Sequence, residues 1–193
     1  MIGLRHFWMA GLVSSPAFFS SPAGAGSDDL NAIRAATAKF KDVNVALSAG
    51  YVPDASGCIS AAAEGLPPEL GAMGVHYIHP ALLGITATEP RVDGNGLNVD
   101  FTNPSILLYE PQADGSMVLV GVENLVFQKA WEMAGHSSPP EFGAQVWDAM
   151  ADMADTMGDE AHGFEPHYDF HVWTERANPA GDFSPFNPAV TCP

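Results

Sequence analysis

The chain has 193 residues, with 23 acidic against 7 basic side chains and a formal net charge of −16. So acidic a surface repels phosphate backbones and anionic lipid, which argues against nucleic-acid and membrane-surface roles. It attracts cations, or simply keeps an exported protein soluble.

Residues 1–25 read as a secretory signal peptide. Arg5 supplies the positive start, Phe7 to Phe19 the apolar run, and Ala23-Gly24-Ala25 the small-residue cleavage site. The run is too short, and too broken by Ser and Pro16, to span a membrane. A buried N-terminal helix is the other reading. The expectation is one exported domain over residues 26–193, periplasmic or extracellular and free of the membrane once the signal is removed.

Asp28 to Ala49 predicts a helix: Leu30, Ile33, Ala36, Phe40, Val43 and Leu47 recur at the 3.6-residue period, with Ser27 or Asp28 as cap. "YVPDASGC" then reads as a loop and residues 59–72 as irregular. "MGVHYIHP" holds a short strand stopped by Pro80, and residues 84–104 form a surface connection. "SILLYE" (105–110) and "MVLVGVENLVF" (117–127) are strands joined through Asp114-Gly115, a hairpin signal. Glu141 to Met157 predicts a second helix, and His167 to Glu175 a last strand before an irregular Pro- and Asn-rich tail. The class is α+β: two main helices on a small, largely antiparallel sheet, with a long irregular C-terminal tail.

Cys58 and Cys192 form an even pair, which in an oxidising compartment reads most simply as a disulfide rather than a free thiol or metal ligand.

Three strands carry candidate metal ligands: "VHYIH" (His76, His79), the hairpin (Glu110, Glu123) and "HYDFH" (His167, Asp169, His171). Alternation puts Glu123 on one face with Leu119, Gly121 and Leu125, so an ionised carboxylate sits mid-strand among apolar residues. Such a group is costly unless paired or metal-bound, and Lys and Arg are scarce in this chain. His76, Glu123, His167 and His171 make a three-histidine, one-carboxylate set suited to Zn, Cu, Fe, Mn or Ni. Asp169 adds a ligand or an acceptor for an imidazole N–H. A strand rising ~3.3 Å per residue sets His167 and His171 about 13 Å apart. A single site using both needs a twist, bulge or turn near Tyr168; without one, only one joins His76 and Glu123, and His171 is the better choice because His167 follows Pro166 at a fraying end. The competing reading is a hydrogen-bonded polar core without metal, serving a structural or small-ligand-binding domain.

Met150, Met153 and Met157 would share one face of the second helix; a thioether face binds Cu(I), but packing is the more ordinary use. His136 and His162 read as solvent-exposed loop residues. No G-x-S-x-G, H-E-x-x-H or C-x-x-C motif is present, so no residue is assigned a catalytic role.

In order, "MGVHY", "ILLYEP", "LVGVE", "HYDFHVW" and "NPAGDFSPFNPAVTC" resemble a widespread group of secreted bacterial proteins, over roughly residues 35 to 192. The resemblance implies a signal peptide, one domain and paired cysteines, and carries no activity. Two places depart from the group's pattern: Asn124 stands where an aromatic residue is expected, and residues 148–163 are longer and more acidic. The function expected is an exported domain binding a divalent transition metal, which it could store, sense or use as a hydrolase or oxidoreductase.

Overall fold

The computed structural model describes residues 26–156 and 158–193. The expected signal peptide and Met157 lie outside them.

Helix α1 (Ser27–Thr37) opens at Gly26, whose N–H donates to Asp29 Oδ2 at 3.0 Å. It does not run on to Ala49 as the periodicity predicts. A 3-10 turn (Ala38–Lys41) follows, and Asp42 starts α2 (Val43–Ser48) by accepting the Asn44 N–H at 2.9 Å. Aspartate competes for backbone donors better as a cap than inside a helix, so the helix restarts there. Ile33 and Phe40 still reach the core, but Ala46 is buried there in place of Leu47, which is turned outward, 45% exposed.

"YVPDASGC" is not a loop. It lies mostly in strand β1 (Val52–Ser60), paired antiparallel with β2 (Ala72–Ile78). The register breaks between Pro53 and Cys58, and the Pro, Asp and Gly that signal a turn sit at that break. Strand β1 is at the sheet edge, with no second ladder to disrupt, so it tolerates them. After β2 come α3 (Pro80–Leu83) and a small pair, β3 (Ile85–Ala87) with β4 (Asp93–Gly94). Strands β5 (Ile106–Pro111) and β6 (Met117–Phe127) make the expected hairpin, and α4 (Gln128–Met133) follows.

The second main helix is absent among the described residues. Glu141 to Met150 instead forms β7 (Glu141–Phe142) and β8 (Gln145–Val146), a tight hairpin, then β9 (Asp148–Met150). Gly143 takes φ 61° as the first of the two loop residues, a position that favours glycine. Phe142 and Trp147 pack on Phe101 and Phe170, so aromatic packing overrides helical periodicity. The methionine face dissolves with the helix: Met150 is in a strand and Met153, in the following segment, is 50% exposed.

Strand β10 (His167–Val172) completes an antiparallel six-stranded sheet of order β1-β2-β5-β6-β10-β9, curled upon itself. The fold mixes helix and sheet as expected, but its described helices are four short ones rather than two long ones.

The sheet separates two cores. One holds Tyr77, Leu107, Tyr109, Val122 and Phe170 against Ile33, Phe40 and Ala46 of the N-terminal helices. The other holds Ile78, Ile106, Leu108, Leu125 and Phe127 against Leu83, Phe164 and Val190. A bulge between Leu108 and Tyr109 shifts the β5–β6 register, so Leu119 joins the first core and Val120 the second. Strict alternation had placed Leu119 beside Glu123.

The irregular tail is bound down. Asn187 and Ala72 exchange backbone hydrogen bonds at 3.1 and 3.2 Å, and Cys192 is joined to Cys58. Glu110, one of the candidate ligands, serves this anchoring instead: it pairs with Arg176 and accepts the Thr191 N–H at 2.9 Å. No helix of the described residues is long and apolar enough to cross a membrane.

Candidate metal centre

Three of the expected ligands converge. His171 stands directly across from Glu123 in the β6–β10 ladder, and His76 lies on β2, two strands further along the same face. In a flat sheet, three interstrand spacings of ~4.8 Å would hold β2 and β10 about 14 Å apart. The His76 and His171 ring centroids are only 6.1 Å apart, because the curl tips both side chains inward over Glu123.

The distances suit shared ligation. His76 Nε2 lies 3.0 Å and His171 Nε2 3.3 Å from Glu123 Oε2, and the three ligand atoms lie within 4.8 Å of one another. Tetrahedral ligands at ~2.0–2.1 Å from an ion are themselves ~3.3–3.4 Å apart. All three side chains are buried. Yet Glu123 Oε2, His171 Nε2 and His76 Nδ1 have no properly directed hydrogen-bond partner among the described residues. The ion-pair approach stabilises the carboxylate charge, but without aligned hydrogen bonds it offsets only part of the cost of burying these atoms.

Charge is distributed accordingly. Burial alone would raise the Glu123 pKa, but His171 and His76 hold it down at about 2. Burial pushes His76 down, and the Glu123 carboxylate overcomes this and leaves its pKa raised. Burial lowers His171, keeping its imidazole neutral, the form that binds metal.

Of the two remaining expected ligands, His167 is buried rather than frayed. Its Nδ1 contacts Glu165 O at 2.9 Å and its Nε2 lies 3.9 Å from Asp169 Oδ2. Neither joins the converging trio. Both line a cavity of about 20 Å³ beside His76 and Glu123, room for a water molecule or a small exogenous ligand atom. Burial, with Glu123 and Asp148 nearby, pushes Asp169 well above the usual carboxylate range. His79 lies elsewhere: its Nδ1 accepts the Leu82 N–H at 3.3 Å as the cap of α3, and its Nε2 donates to Ala49 O at 3.1 Å.

His162, expected in solvent, lines the same cavity. Its side chain is 12% exposed and its ring stacks 6.3 Å from that of His76. Burial and His76 lower its pKa to about 4. The loop carrying it is pinned by Arg91, which donates to Asp159 Oδ1 at 2.6 Å and Phe164 O at 2.7 Å, while Asp159 Oδ2 accepts the Gly163 N–H at 2.8 Å. His162 adopts φ 51°, in the left-handed region. The neighbouring Gly163 marks a turn in the sequence, but nothing local says that the turn faces inward.

Asn124 belongs to the opposite face from Glu123. Its Oδ1 accepts the Ser105 N–H at 2.7 Å, the Ser105 hydroxyl at 3.1 Å and Asn98 Nδ2 at 3.2 Å. It braces the start of β5 rather than the cluster.

Comparison of the chain with family models, with curated proteins and with solved structures found no match.

Proposed function

We propose that this protein binds one divalent transition-metal ion through His76 Nε2, Glu123 and His171 Nε2. The observation that carries the reading is the convergence of three buried metal-ligating side chains, two of whose facing atoms, Glu123 Oε2 and His171 Nε2, lack a hydrogen-bond partner among the described residues. An ion between them would satisfy both at once. Two imidazoles and one carboxylate leave coordination positions free, as in non-haem Fe(II) sites and His₂Glu zinc sites. Those positions would face the small cavity of His162, His167 and Asp169. The Cys58–Cys192 disulfide and the absence of a membrane-spanning helix among the described residues are compatible with export, where we place the protein.

The test is metal analysis and Co²⁺ or Zn²⁺ titration of untagged protein. One equivalent should bind to the wild type, and His171→Ala or Glu123→Gln should weaken it by more than about 100-fold, beyond the 10–100-fold effect of outer partners. No binding by a folded wild type would leave the trio as a polar core and overturn the proposal.

A further inference from the structure

A second cavity opens on the outer side of His162. It is a cleft of about 740 Å³, within the ~300–1,000 Å³ range of small-molecule sites. Leu66, Met73, Met150, Met153 and Phe186 give it an apolar wall. Glu64, Glu160 and His162 give it a polar side, and no Lys or Arg lines it among the described residues.

That polar side is unfinished. Glu64 Oε2 and His162 Nε2 are buried without a hydrogen-bond partner among the described residues, and His162 Nδ1 lies 3.8 Å from Glu64 Oε1, beyond hydrogen-bond reach. A buried carboxylate oxygen can only accept, so the missing group is a donor. Two carboxylates with no cation reject an anionic ligand and favour a cationic head group. Burial, with Asp159 and Glu160 nearby, raises the Glu64 pKa, and a cation placed there would relieve that repulsion.

We infer that the cleft binds a small apolar amine, its tail along Leu66, Met153 and Phe186 and its ammonium between Glu64 and Glu160. His162 and Met73 line both this cleft and the inner cavity, so the bound head group lies one imidazole away from the His76–Glu123–His171 trio. Binding in the cleft does not require a metal.

The experiment uses octylamine, octanol and octanoate as probes, each displacing the neutral fluorophore N-phenyl-1-naphthylamine from EDTA-treated protein. Octylamine should bind at least tenfold more tightly than octanoate, with octanol between them. The chain's charge of −16 attracts any amine, so localisation comes from variants. Glu64→Gln should reduce the amine preference by at least threefold, although it removes only one of many charges. Ala63→Trp, at an exposed position on the cleft lining, should abolish displacement by all three. Equal affinity for amine and carboxylate in the wild type, or unchanged binding in a folded Ala63→Trp, would overturn the inference. Co²⁺ titration of the same preparation separates the two readings. Amine binding without Co²⁺ uptake sinks the metal site alone, and Co²⁺ uptake without amine binding sinks the cleft alone.

Discussion

His171 faces Glu123 across neighbouring antiparallel strands, with Nε2 3.3 Å from Oε2, yet the two make no hydrogen bond. Sheet pairing fixes this approach, since directly opposed residues on one face have Cβ atoms ~4.5–5.5 Å apart. His76 then reaches the same oxygen from two strands away.

Metal affinity should follow from how protons are held in this trio. Glu123 stays ionised down to about pH 2 and so contributes no proton competition at neutral pH. Glu123 raises the His76 pKa, so this imidazole holds a proton to higher pH than usual and a metal must compete with it. Zn²⁺ affinity should therefore fall as pH drops from 8 to 5.5, by up to tenfold per unit for each proton displaced. Calorimetry in buffers of different ionisation enthalpy should show proton release. An affinity flat across that range would contradict the assignment of His76 as a ligand.

His162 should make the metal-free protein sensitive to mild acid. Its pKa is about 4 when folded against 6.5 as the ordinary value, so the unfolded chain binds the proton first as pH falls. Stability is unaffected above 6.5 and is lost progressively down to about 4, amounting to about 3 kcal/mol. His162→Asn, which tolerates the left-handed backbone, should remove this part of the slope in urea unfolding between pH 7 and 4. An identical slope in the variant would mean that His162 is not held neutral by burial.

The disulfide should account for a large share of stability. Cys58 and Cys192 are 134 residues apart in sequence, with Cα atoms 5.7 Å apart. Closing a loop of that length contributes about 5 kcal/mol in the chain-entropy model. In a Cys58→Ala/Cys192→Ala variant, the urea midpoint should drop, and proteolysis should begin in the tail after Asn187, where the pairing with Ala72 ends. Glu110 would still hold Thr191, so metal uptake should persist in folded protein. An unchanged midpoint would show that the tail docks without the covalent tie.

Local sequence was enough to place β2, the β5–β6 hairpin and β10. Their two-residue alternation and the Asp114-Gly115 turn are short-range signals that pairing reinforces. The scarcity of Lys and Arg also pointed to histidines as the partners of Glu123, which is where they lie. Glu110 shows where that argument stops, because one of the few arginines, Arg176, arrives from 66 residues away. Residues 141–157 carried a helical period, but Phe142 and Trp147 gain more by packing on Phe101 and Phe170, contacts no local window contains. His162 was hidden for the same reason: its inward position depends on Arg91 gripping Asp159 across the chain. Alternation told which residues share a face. Only the strand order and the curl of the sheet decided that His76 and His171 meet over Glu123, because those depend on pairings between strands that are distant in the chain.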